Sequence, residues 1–137
     1  MIDASDDLRI RRRLIEIARS SGCVSYERLY EEFGVEPQNQ DEKFAFHEAL
    51  GRVSSAEAAH GRPPLGGIVA YGGRHPESGI PGDAFFVLCR HLGLYEGRVE
   101  DDAKSEQDRA EIIREKQAFS RGVAEAIARE WKTPILR

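Results

Sequence analysis

Apolar residues recur at helical spacing over most of the chain. Leu8, Leu14, Ile17 and Ala18, with Ile10 alongside, form a first stripe, and Arg9, Arg12, Arg13, Glu16 and Arg19 fall largely on the opposite side. Ser5, Asp6 and Asp7 offer a cap and first-turn negative charge, and Gly22 offers a stop, so a first helix is predicted over 5–21. A short step, Cys23-Val24, leads to Ser25, a good N-cap. The stripe Tyr26, Leu29, Tyr30 and Phe33 then predicts a second helix ended by Gly34. After a loop over 36–40, Asp41 is expected to cap a third helix reaching about Ala59, with Phe46, Leu50 and Val53 as its main stripe. Gly61 and Pro63-Pro64 end it.

The pattern then changes. Residues 65–71, LGGIVAY, are the one stretch expected to be a strand: Ile68, Val69 and Tyr71 favour it, while Gly66 and Gly67 weaken it or allow a bulge. Residues 72–82, GGRHPESGIPG, read as a loop that is long for a compact domain, and long loops often carry function. Asp83 is expected to cap a short buried helix from Ala84 to Leu92, ended by Gly93. The continuous apolar run AFFVLC keeps a strand as the rival. Ser105 with Asp108 resembles a capping box at the start of a long final helix. There Ile112, Phe119, Val123, Ile127 and Trp131 make one apolar stripe, and Glu111–Arg114 and Glu125–Arg129 are expected to pair along the helix. Such a stripe docks across the same domain or onto a partner.

Composition narrows the class. A chain of 137 residues with 40% hydrophobic and 32% charged residues fits one folded domain. No apolar run is long enough for a membrane span, and MIDASDDLRIRRR lacks an apolar leader segment, so a cytoplasmic, non-membrane protein is expected. Cys23 and Cys89 both sit in apolar surroundings and read as reduced small hydrophobes. The net charge of −4 is spread evenly: residues 1–40 carry six basic and eight acidic groups, 41–95 five and six, and 96–137 nine and ten. No third of the chain is basic, so a phosphate-binding face would have to be assembled from scattered arginines.

The candidate chemistry gathers at the loop. Arg62, Arg74, His75, Glu77 and Asp83 could converge there, and arginine forks with a histidine suit an anion. The plainer alternative is a polar loop in which Arg62 pairs with Asp83 or Glu57. For DNA, the third helix would enter the major groove with Arg52, helped by Arg74, His75 and the Arg11–Arg13 run, but Glu42, Glu48 and Glu57 make it a poor surface for phosphates. Cys89 and His91 lie two apart, outside zinc-ligand spacing, and read as a core cysteine and a surface histidine. No G-x-S-x-G elbow and no phosphate-loop pattern is present. No catalytic residue, cofactor or metal is therefore expected.

The order helix, short step, helix, helix, strand, loop resembles a winged helix-turn-helix. Val24-Ser25-Tyr26-Glu27-Arg28-Leu29 resembles the lead into the second helix of alkyltransferase-like domains, a winged-helix group. Those enzymes carry a reactive Pro-Cys-His-Arg motif. Here Pro63-Pro64 is followed by Leu65-Gly66, so the likeness implies the scaffold and not alkyl transfer. A second likeness runs through Leu50, Val53-Ser54, Glu57, Gly61-Arg62-Pro63, Leu65, Ile68-Val69, Gly79, Pro81-Gly82, Phe85-Phe86 and Leu92-Gly93. That pattern is similar to small bacterial proteins of uncharacterised function, and implies a bacterial origin and a shared fold.

The expected fold class is α+β, mainly helical: a winged helix-turn-helix-like core over 1–100 with a long C-terminal helix over 101–137. The expected function is a small non-catalytic regulatory or accessory module binding nucleic acid or a protein partner, including a second copy through the C-terminal helix. Arg52, Arg62, Arg74 and His75 are its candidate nucleic-acid or anion contacts. Two alternatives stand beside it: an acidic protein-binding adaptor or inhibitor, and a small enzyme acting on an anionic substrate near Gly72–Gly82.

Overall fold

A computed structural model describes residues 2–20, 22–73, 75 and 77–132. It is mainly helical. Helix α1 spans Asp7–Ser20, strand β1 Val24–Ser25, α2 Tyr26–Phe33, α3 Gln40–Ala59, β2 Val69–Ala70, α4 Asp83–His91 and α5 Glu106–Lys132. Short 3-10 turns occupy Ala4–Asp6, Leu65–Ile68 and Glu100–Asp102.

Capping accounts for most boundaries. The Asp3 carboxylate accepts the Ser5 N–H at 2.8 Å and the Asp6 carboxylate accepts the Asp3 N–H at 3.1 Å, so the chain turns before α1 begins. Helix α2 follows its expectation: Ser25 Oγ accepts the Arg28 N–H at 3.1 Å, and Gly34 leaves the helix at φ +69°. The cap of α3 is Asn39, whose side-chain carbonyl accepts the Glu42 N–H at 3.1 Å, and the expected cap Asp41 sits inside the first turn. At α5, Ser105 Oγ accepts the Asp108 N–H at 3.1 Å and Asp108 accepts the Lys104 N–H at 2.9 Å.

The strand expected over 65–71 shrinks to two residues, because Leu65–Ile68 winds into a 3-10 turn. The two glycines explain the difference. A Cβ on Gly67 would stand 2.4 Å from Val123 Cγ1, and one on Gly66 would stand 2.7 Å from Ser54 Oγ. Backbone can therefore pass between α3 and α5 only where side chains are missing, and a tight turn fits that gap. The Gly66 N–H donates to buried Ser54 Oγ at 2.9 Å, which satisfies one backbone donor there. Beyond it β2 pairs with β1 in parallel, Val24 opposite Val69 and Ser25 opposite Ala70.

Residues 83–91 form a helix and not the rival strand. Gly82 holds the N-cap position, while Asp83 is the first helical residue and accepts the Glu100 N–H at 2.9 Å. Helix α5 lies against α1 and the Leu65–Ile68 turn. Its stripe is arranged as expected: Ile112, Val123 and Ile127 are buried, and Phe119 and Trp131 pack at the edge of the core. The expected Glu111–Arg114 pair is replaced, because Glu111 and Glu115 both turn to Arg98. Ile10, Leu14, Leu29, Phe46, Leu65, Phe86 and Ile127 belong to one hydrophobic cluster. Burying each contributes about 1.5–3 kcal/mol.

Candidate functional site

Two of the four candidate residues are committed to partners inside the protein. Arg52 forks onto Asp7 at 2.8 and 3.0 Å, joining α3 to α1. Arg62 pairs with Glu57, the second of the two partners expected for it, and Arg11 reaches the same carboxylate from α1. Glu57 is fully buried. Burial alone would push its carboxyl up; the Arg62 and Arg11 hydrogen bonds overcome this and hold it below its ordinary value. Arg13 and Arg28 pair with Glu32, Arg90 with Asp102, and Arg98 with three carboxylates. The arginines that would have met phosphates thus mostly clamp the helices together. Arg74 lies outside the described residues.

The expected cluster at the mouth of the loop separates. His75 is exposed and stacks on Tyr71, with ring centroids 3.7 Å apart and planes 3° from parallel. Its Nδ1 accepts the Glu77 N–H at 3.0 Å. Glu77 and Asp83 converge instead on Lys116 of α5, at 3.1 and 2.8 Å. Lys116 is 2% exposed and its Nζ also sits 5.2 Å from the centre of the Phe86 ring. Burial would lower its pKa, but Asp83 and Glu77 overturn that and raise it. One signal for this residue was present in the sequence: Lys116 falls on the apolar seam of α5, four residues after Ile112.

The loop is closed by two backbone bonds, Tyr71 N–H to Ile80 O at 3.0 Å and Gly79 N–H to Tyr71 O at 2.8 Å. Tyr71 stands between two cavities. The larger, about 630 Å³, opens between the strand pair, the loop and α5, and is lined by Cys23, Ser25, Tyr71, Ser78, Gln117, Ser120 and Arg121 among others. The smaller, about 340 Å³, lies on the other side, with Tyr26, His47, Glu48, Ser54, Tyr71 and Asp83 in its wall. Their electrostatic character differs: the smaller has two carboxylates, while the described lining of the larger has none.

His47 of α3 is half-buried and shares a 2.7 Å hydrogen bond with the Tyr30 hydroxyl. Burial, with help from Lys43, lowers its pKa. Burial also pushes the Tyr30 hydroxyl and the Cys89 thiol up to about 12, which leaves that thiol inert. Neither cysteine is disulfide-bonded, and Cys89 is in the core while His91 is exposed. Among the described residues no cluster of His, Cys, Asp and Glu is arranged to hold a metal ion, and no helix is long and apolar enough to cross a membrane.

The outer face of α5 carries a third feature. A groove of about 290 Å³ runs beside Pro64, Leu94, Ala118, Phe119, Gly122 and Ala126, with little polar surface in it. Leu94 is 44% exposed at its edge, and a side chain added at Gly122 would meet nothing within 4 Å. Comparisons with family models, with curated proteins and with solved structures return no match.

Proposed function

We propose that the chain is a small non-catalytic interaction module that docks a protein partner on the outer face of α5, a second copy being the simplest such partner. The apolar groove along that face carries the reading. Ala118, Gly122 and Ala126 recur every four residues, so a partner's helix can approach closely over them, and Leu94 supplies an exposed apolar anchor beside it. The order of α1, α2 and α3 supports a helix-turn-helix-like frame for the module, with the 72–82 loop where a wing would lie. A protein partner is favoured over nucleic acid because Arg52 and Arg62 are neutralised by Asp7 and Glu57, and the net charge is −4.

Sedimentation velocity tests this. The wild-type chain is expected to sediment as a dimer. Gly122→Glu and Leu94→Glu are expected to be monomeric with unchanged circular dichroism. A monomeric wild type rejects the second copy as partner. Salt-dependent binding to duplex DNA, lost in Arg52→Ala, rejects the preference for protein.

A further inference from the structure

We propose that the larger cavity, between the strand pair, the 72–82 loop and α5, binds a small organic monocarboxylate. Its only charged lining residue among those described is Arg121. Most arginines of this chain are held by carboxylates, by a backbone carbonyl or by aromatic rings, but Arg121 makes no hydrogen bond or ion pair with any described residue. A guanidinium left over at a concave surface is a fork with its donors unused, and a carboxylate matches that fork in two parallel hydrogen bonds.

The neighbouring groups fit the same ligand. Gln117 and Ser120 lie on the same helix, and Ser78 faces them from the loop, so neutral donors stand around the one cation. Ile68 and Ile80, with several glycines, make up much of the rest of the wall, which suits an apolar body behind the carboxylate. With Arg121 the one cation among the described lining residues, a monoanion is favoured over a phosphate, which carries nearly twice the charge near neutral pH. At the rim the charges offset: Lys132 Nζ lies 3.8 Å from where a side chain on Gly22 would begin, and a Glu27 oxygen lies 3.8 Å from the same point on Gly72. The volume of about 630 Å³ lies within the range of small-molecule sites. The groove proposed for a partner uses Ala118, Gly122 and Ala126 on another face of α5, so the two proposals stand or fall separately.

The test is a titration of the nitrogen-15-labelled full chain with hexanoate and benzoate, against hexanamide, benzamide and inorganic phosphate. The carboxylates are expected to shift the amide signals of Val24, Gly79, Ile80, Gln117 and Arg121 saturably, with the amides about tenfold weaker or worse. Arg121→Gln is expected to weaken carboxylate binding by about tenfold or more, with Arg121→Lys between the two. Equal binding of amides and carboxylates overturns the proposal, as does phosphate binding tighter than either carboxylate. So do shifts confined to other surfaces, unchanged affinity in Arg121→Gln, or no shift at millimolar ligand. The comparison of acid with amide on the wild-type chain decides the matter even if a variant folds poorly.

Discussion

Lys116 reaches the Glu77 carboxylate at 3.1 Å, a contact that ties the 72–82 loop to the C-terminal helix. The lysine is almost fully buried, while Glu77 and Asp83 remain partly open to water. Lys116→Met keeps the stem and removes the charge, leaving two carboxylates together without a cation. The expected cost is about 2 kcal/mol, because the acids can rehydrate. Hydrogen exchange at the Tyr71, Gly79 and Ile80 amides should speed up beyond what that global loss explains. Unchanged exchange at those three would show that the ion pair does not hold the loop.

Glu57 is the second buried charge, clamped by Arg11 and Arg62. Glu57→Gln is expected to cost about 2 kcal/mol near neutral pH, at the low end for a broken buried pair because both guanidiniums reach solvent. Its pKa in the folded chain lies below the ordinary 4.5. Its contribution is therefore present above the unfolded value and is lost as the pH falls through the folded one. Urea midpoints of wild type and variant should draw together as the pH is lowered through the folded value. A gap that persists below it would assign the loss to packing and not to charge.

Gly67→Ala tests the squeeze between α3 and α5. The new methyl would meet Val123 Cγ1 at 2.4 Å and Ile127 Cδ1 at 3.4 Å. Valine is stiff at χ1 and cannot swing aside freely, so about 1–3 kcal/mol of overpacking is expected. Gly67→Ala with Val123→Ala should recover part of it. Thermal denaturation of the single and double variants reads the difference, and a neutral single variant would mean that α5 gives way easily.

His47 should make stability depend on pH. Its folded value is lowered from the ordinary 6.5 by burial, helped by Lys43. Between the folded and unfolded values the unfolded chain holds a proton that the folded chain does not. Stability should therefore fall as the pH drops below about 6.5. His47→Gln keeps a partner for Tyr30 and removes the titration, so its stability should change less from about pH 8 to about pH 5. Parallel slopes in wild type and variant would place the dependence elsewhere.

Local signals were easiest to read where one residue decides the backbone. Ser25 and Gly34 bracket α2 as their chemistry requires, and the five-residue stripe of α5 faces the core as its spacing implies. LGGIVAY keeps only the two-residue strand Val69–Ala70, because β propensity describes a residue on an open pleated surface, whereas Gly66 and Gly67 answer to what lies against them. The arginines were legible as a set, but which stay unpaired is a tertiary matter. Arg52, Arg62 and Arg121 look alike in the sequence, and only packing puts Asp7 beside the first, Glu57 beside the second and a cavity beside the third. Lys116 could have been singled out by its place on an apolar seam, although its two acids come from the loop and α4.

The threading of Leu65–Ile68 against α5 also sets an order for synthesis. The Leu65–Ile68 turn lies against α1, α3 and α5, and α5 is made after the others. A nascent chain that has emerged only as far as α4 exposes the surface that Val123 and Ile127 will later cover. Native packing of that surface therefore waits for α5 to emerge.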